Sequence, residues 1–279
     1  MLNSATRSLA PKATYEPFGS PPDDACAGSL RSLIESQIIP RLLEAHPHAS
    51  AANAQDFVLA YQPTAAEVAA FAELCVSREP EEVLAFVEKL LLDNVNNDSI
   101  FLNLIAPAAR HLGEMWEQER TDFTQVTMGL LRMHQITHRI GYEYQSGPQI
   151  AGPSKRIMLA SAPGSQHILG LAMVSEFFRK DGWQVVVEIS TTQGELCTTA
   201  KNEWFDLIGL SVGLTQQVDS LPDLIANLKK VSRNSRIPVL LGGPAFLSAA
   251  CSAASLGADG ITTDALEGVQ IASLLVDAR

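Results

Sequence analysis

Arg156-Ile157-Met158-Leu159-Ala160, followed by Ser161-Ala162-Pro163-Gly164-Ser165-Gln166-His167-Ile168-Leu169-Gly170, is the stretch that decides the fold. The opening run is apolar and short, which suits a buried strand better than a helix, and the Pro-Gly loop behind it breaks the chain before a helical pattern begins. The same order recurs. Gln184–Ile189, Leu207–Ser211, Ile237–Leu241 and Gly260–Thr262 read as further strands, alternating with helical stretches. Five βα units in about 125 residues predict a parallel five-stranded sheet covered on both faces by helices, of the flavodoxin-like (Rossmann-like) α/β kind, over residues 154–279.

Upstream, the period is different. Ser146-Gly147-Pro148-Gln149-Ile150-Ala151-Gly152-Pro153 is rich in breakers and reads as a linker. Before it, Phe123, Val126, Leu130, Met133, Thr137, Ile140 and Tyr144 alternate steps of three and four, an amphipathic helix. A helix over 99–118 carries Phe101, Leu104, Ala108, Leu112 and Met115, and Pro80-Glu81-Glu82 opens another with Val83, Val87 and Leu90 on its stripe. Thr64 followed by Glu67 is a capping box for a fourth. Residues 64–145 therefore predict a four-helix bundle within a helical region 29–145. An additional helix from Ser29 to Ala45 is interrupted by Pro40, and residues 1–28, rich in Pro, Ser, Ala and Gly, are expected to be disordered.

Bulk properties remove several function classes. The net charge is −11 and no block of Lys and Arg is present. Unaided DNA binding, which depends on neutralising phosphates, is not expected. No apolar run reaches the roughly 20 residues of a membrane span, and the N-terminus lacks the basic-then-apolar order of a secretory signal. Cys26, Cys75, Cys197 and Cys251 show no ligand spacing. They read as reduced thiols of a cytoplasmic protein. No catalytic constellation stands out, and Glu114, Glu117 and Glu119 read as a solvated helix end, so a non-enzymatic role is expected.

Sheets of this type bind ligands at the carboxyl ends of their strands, beside the switch point next to the first strand. The loop there lacks the glycine spacing of dinucleotide binders and the Lys of a phosphate loop. Ser161 and Ser211 stand where a phospho-receiver needs acidic residues. A flavin-phosphate loop remains open, with Ser161, Gly164 and Ser165 as phosphate donors. His167 in the same loop offers an imidazole to a transition metal, against the plainer reading of a surface or helix-capping histidine. Ser211-Val212-Gly213-Leu214-Thr215 ends the third strand and Gly242-Gly243 the fourth. Small residues at neighbouring strand ends make a slot for a long polar tail, or else serve ordinary turns.

Together these residues resemble the B12-binding domain family, whose motif is D-x-H-x-x-G after the first strand, S-x-L after the third and G-G after the fourth. His167 and Gly170 match, and so do Ser211, Gly242 and Gly243; Ser165 replaces the Asp and Gly213 the Leu. The resemblance implies cobalamin as cofactor and His167 as the cobalt ligand. The displaced nucleotide tail would enter the slot formed around Ser165, Gln166, Gly170, Ser211, Gly213, Thr215, Gly242 and Gly243. A bulky side chain at Gly242 or Gly243 is expected to block that slot and leave the fold intact. With Ser165 in place of a carboxylate, ligation by His167 is expected to be weaker or more adjustable.

Leu112-Gly113-Glu114-Met115-Trp116 resembles the L-G-x-x-W of the family's helical caps, which places Trp116 over the cofactor. The plainer reading is a core tryptophan on the Leu112 stripe. Light-sensing members carry W-x9-E-H; here Val126 and Thr127 stand at the Glu and His. Hydroxocobalamin is thus favoured over adenosylcobalamin as the bound form. His111, His134 and His138 read as solvated or structural, since His134 lies about 10 Å along the helix from Thr127. From Leu30 to the C-terminus, including Ile38-Ile39-Pro40-Arg41-Leu42-Leu43-Glu44-Ala45-His46, the chain resembles the PpaA/AerR antirepressors of photosynthetic bacteria. That resemblance implies a transcriptional regulator that relieves repression of photosystem genes by contacting a redox-responsive repressor of the PpsR/CrtJ type, with light as a candidate signal. A corrinoid carrier subunit of a methyltransferase system is the alternative on the same plan.

Overall fold

Thr64 starts the first helix as expected. Its backbone N–H donates to Glu67 Oε2 at 2.7 Å, and the Glu67 N–H donates back to Thr64 Oγ1 at 3.3 Å. This capping box opens α1 (Ala65–Ser77), and Pro80, whose missing N–H costs nothing in a first turn, opens α2 (Pro80–Leu92). The computed structural model describes residues 61–141, 154–165, 168–189, 192–247 and 251–278. The N-terminal helix with Pro40, Cys26, Tyr144 and the 146–153 linker lie outside the described residues.

The third bundle helix differs from the regular one expected over 99–118. α3 begins as a turn, Asn97–Ser99, passes through a π-helical segment, Ile100–Ile105, and ends as a regular helix, Ala106–Glu117. The cause is Pro107. It has no N–H for the carbonyl four residues earlier and its ring crowds that carbonyl, so the preceding turn widens instead of breaking. α4 (Phe123–Ile140) opens with a second capping box, Gln125 N–H to Asp122 Oδ1 at 2.8 Å and Asp122 N–H to Gln125 Oε1 at 3.0 Å. Arg132 on α4 donates to the carbonyls of Cys75 and Val76, satisfying the end of α1.

The sheet follows as β1 (Arg156–Ser161), β2 (Gln184–Glu188), β3 (Leu207–Ser211), β4 (Val239–Gly242) and β5 (Gly260–Thr262). All pairings are parallel, in the order β2-β1-β3-β4-β5. The four connecting and closing helices are α5 (Leu169–Lys180), α6 (Gln193–Asn202), α7 (Leu221–Val231) and α8 (Ala265–Asp277). β4 starts two residues later than the sequence suggested because Pro238 cannot donate to a ladder.

One sheet face packs on α6 and α7 through Met158, Ile208, Val239 and their neighbours. The other face shares a single core with the helical bundle, which runs from Phe71, Phe101 and Met133 to Leu159, Phe177 and Leu207. α5 is the joint. Phe177 meets Phe101 edge-on at 6.1 Å and 74°, Lys180 pairs with Asp98, and α4 packs along the same helix. Burial at this joint holds the bundle over the sheet, because each fully buried Phe or Leu contributes about 1.5–3 kcal/mol.

Candidate corrinoid-binding site

The register of the sheet brings four small residues into one row. Ser161 pairs with Ser211, Ser211 with Gly242, and Gly242 with Thr262, so four strands end together. β1 leads to β2 on one side and the chain then crosses to β3 on the other, so the row straddles the switch point. Above the row, between the strand ends and the bundle, lies a cavity of about 1010 Å³.

Its bundle wall is α3 and α4, with Trp116, Phe123, Val126, Thr127, Leu130 and His134 in contact with the space. Its floor includes Gly170 on α5, Ser211 and Gly213 after β3, Gly242 and Gly243 after β4, and Thr262 and Asp264 after β5. Eight of the expected site residues thus face one space: Gly170, Ser211, Gly213, Gly242, Gly243, Trp116, Val126 and Thr127. Ser165 is buried in the β1–α5 loop, where its N–H donates to the Ala162 carbonyl at 3.0 Å, and Thr215 is exposed at the head of a 3₁₀ turn (Thr215–Ser220). Neither is among the described residues that line the cavity. Gln166 and His167 lie outside the described residues; their chain neighbours Ile168, Leu169 and Gly170 line the cavity.

Trp116 is not a core residue. It is 47% exposed at the cavity wall and meets Phe123 edge-on at 6.2 Å and 68°, while Leu112 and Met115 fill the core. Glu114, Glu117 and Glu119 are exposed, and His111 lies 3.7 Å from Glu114. His134 departs from expectation. The cavity extends far enough along α4 to reach it, its Nδ1 is buried with no hydrogen-bond partner, and burial together with the nearby His138 holds its pKa below the ordinary imidazole value. The ring is neutral at physiological pH.

The loops around the floor are tied to one another. Gln217, which the sequence did not single out, accepts from the N–H groups of Gly213 (3.2 Å) and Leu214 (3.0 Å) and donates to the Pro163 carbonyl (3.1 Å). It bridges the β3 loop to the β1 loop that carries His167 in sequence. At β5, Asp264 Oδ1 accepts from the Glu267 N–H and the Asp264 N–H donates to Thr262 Oγ1. The Ser161 hydroxyl is buried at the end of β1 without a hydrogen-bond partner, which is costly unless a ligand or water supplies one.

Gly243 corrects the expectation that a side chain there would leave the fold intact. Its φ is +109°, and an added Cβ would lie 2.4 Å from the Val212 carbonyl oxygen and 2.8 Å from the Val212 nitrogen. The glycine is required by the backbone itself. At Gly242 the nearest atom is the Thr262 carbonyl oxygen at 3.2 Å, a tighter approach than most side chains tolerate.

Residues 155–270 match the family described as the B12 binding domain. The chain is 27% identical over 160 residues to an uncharacterized 20.5 kDa protein in the bchF-crtJ intergenic region of Rhodobacter capsulatus, covering 57% of this chain and 83% of that protein. It is 25% identical over 209 residues to dimethylamine corrinoid protein 3 of Methanosarcina acetivorans, covering 74% and 94%. Among solved structures, the monomethylamine corrinoid protein of Methanosarcina barkeri superposes with a TM-score of 0.61 at 17% identity, covering 77% of this chain and all of that one. The family match supports a cobalamin or corrinoid cofactor and the solved structure supports the fold; the site suits such a cofactor. Its largely apolar wall on the bundle can cover a macrocycle, and the small residues Ser211, Gly213, Gly242 and Gly243 leave room at the strand ends. No described helix is long and apolar enough to cross a membrane.

Proposed function

We propose that the chain is a non-enzymatic, cobalamin-dependent transcriptional regulator of the cytoplasm, which acts by contacting a repressor of the PpsR/CrtJ type. The observation that carries this reading is the position of the cavity. A ligand there touches both the bundle and the strand ends, so its occupancy biases how the two pack by whatever difference in affinity it has for the alternative arrangements. The Rhodobacter capsulatus relative, whose name places it beside crtJ, supports the choice of partner. The net charge of −11 suits a protein that reaches DNA only through such a partner.

In this reading His167 would hold the cobalt, and Ser211, Gly213, Gly242 and Gly243 would admit the nucleotide tail. Gly170 leaves the start of α5 open, and Gln217 keeps the β1 and β3 loops at a fixed separation. Trp116, Val126 and Thr127 exclude water from the side facing the bundle. When bound, the cofactor would supply a coloured cobalt centre with an exchangeable ligand.

The Methanosarcina acetivorans corrinoid protein, matched over 94% of its length, favours a second reading, a corrinoid carrier for methyl transfer. One experiment separates the two. Apo and hydroxocobalamin-loaded chain are titrated against the immobilised repressor and, separately, against promoter DNA. The methylcobalamin-loaded chain is incubated with a corrinoid-dependent methyltransferase and its thiol acceptor. The regulator reading expects repressor affinity that changes with loading, no DNA binding alone and no methyl transfer. Equal repressor affinity in both states together with turnover of the methyl group would replace it with the carrier.

A further inference from the structure

α4 turns one stripe toward the cavity, and the residues of that stripe are apolar or weakly polar until His134. A histidine at such a position has two uses, as a ligand to a metal or as a hydrogen-bond donor, and its second nitrogen decides between them. A metal-bound imidazole holds its other nitrogen as N–H and gives that hydrogen to an acceptor, which fixes the ring. Nδ1 of His134 is buried and has no such acceptor. Placing the hydrogen on Nδ1 would bury an orphaned donor, the rarer and costlier defect. Placing it on Nε2 leaves only a bare lone pair inside. With Nδ1 shielded, Nε2 is the nitrogen left to meet a ligand, and it carries the hydrogen.

We propose that His134 donates a hydrogen bond from Nε2 to the exchangeable oxygen ligand of a corrinoid held in the cavity, and so selects the aquo or hydroxo form over alkyl forms. The proposal rests on the corrinoid reading of the site and deepens it by naming the cofactor form, but it does not depend on the repressor. Its surroundings agree with it. Val126, Thr127 and Leu130 on the same stripe offer an alkyl or nucleoside group no charged contact, whereas one N–H within an apolar wall is worth most against a polarised oxygen, where bulk water no longer competes. Arg110, also on the wall, is exposed, so its charge is largely screened by solvent.

The test measures dissociation constants of the full chain for hydroxocobalamin and methylcobalamin, followed by quenching of tryptophan fluorescence and by the corrin bands. The wild type prefers hydroxocobalamin. His134→Leu, with unchanged far-UV circular dichroism, lowers the hydroxo-to-methyl preference by about tenfold to a hundredfold, the range for a hydrogen bond to a charged group. His134→Gln, whose side-chain amide retains a donor, recovers part of that preference. A preference unchanged in His134→Leu overturns the proposal. So does equal weakening of both forms, which would place the acceptor among the amide side chains of the macrocycle. Loss in His134→Leu of a spectrum typical of nitrogen coordination would overturn it in favour of direct ligation. If the wild type binds neither cobalamin, the corrinoid reading falls and takes the proposal with it. A failure of repressor binding alone leaves the proposal standing.

Discussion

Two glycines of the expected motif behave oppositely when given a side chain, and their contrast tests the location of the ligand. Gly170 is exposed in the first turn of α5, it lines the cavity, and an added Cβ meets nothing within 4 Å. Gly170→Ala therefore removes only glycine's conformational entropy and stabilises the helix by up to about 1 kcal/mol. For a chain of this size that raises the midpoint of thermal unfolding by roughly 2–4 °C at most. Gly170→Phe keeps the fold but fills space that the ligand needs. Overpacking of about 1–3 kcal/mol becomes a loss of cobalamin affinity of about tenfold to more than a hundredfold. Gly243→Ala is the opposite case. The backbone overlap at 2.4 Å and the positive φ add roughly 2–5 kcal/mol of strain, a large part of a domain's net stability. Thermal denaturation followed by circular dichroism, with cobalamin titration of each folded variant, reads both effects. A Gly170→Phe variant that binds cobalamin with unchanged affinity would move the ligand away from α5. A Gly243→Ala variant as stable as wild type would refute the close approach of the β3 and β4 loops.

His167→Ala is expected to shift the corrin absorption bands and weaken binding, and a variant with unchanged spectrum and affinity would remove His167 from the metal. Cys75 lies in the bundle core, where burial pushes its thiol up to about 12 against a weaker opposing pull from Arg132. In the native protein at pH 8 a thiol reagent should modify the partly exposed Cys197 and Cys251 and reach Cys75 only on unfolding, read by peptide mass analysis. Because the folded thiol holds its proton more tightly than the unfolded one, its contribution to stability is complete below about pH 9 and is lost as the pH rises toward 12. Rapid native labelling of Cys75 would contradict the packing of α1 against α4.

The sequence carried the parts of this fold that local chemistry decides. Thr64 with Glu67, Pro80 with its acidic first turn, and the strand-loop-helix order from Arg156 each state their structure within a few residues, and the sheet assembles from five such statements. The strand-end glycines of the site were legible for the same reason, since each sits at the end of an apolar run. The misreadings have a different cause. Pro107 sits inside a good helical period, and period alone does not reveal that the preceding turn widens to accommodate it. Gln217 owes its importance to a bond to Pro163, 54 residues earlier, between two loops that meet only after β1 and β3 pair.

His134 lies about 10 Å along α4 from Thr127, a distance that holds within one helix and is silent about the opposite wall. The cavity that His134 lines is also walled by the joint between α5 and the bundle. Phe177 meets Phe101 edge-on and itself lines the cavity, so the contact that holds the bundle in place also forms part of the cavity wall. A side chain at that contact cannot be judged from its own helix. Its exposure is fixed by how closely the bundle is drawn onto the sheet, and hence by the same packing that a bound ligand would alter.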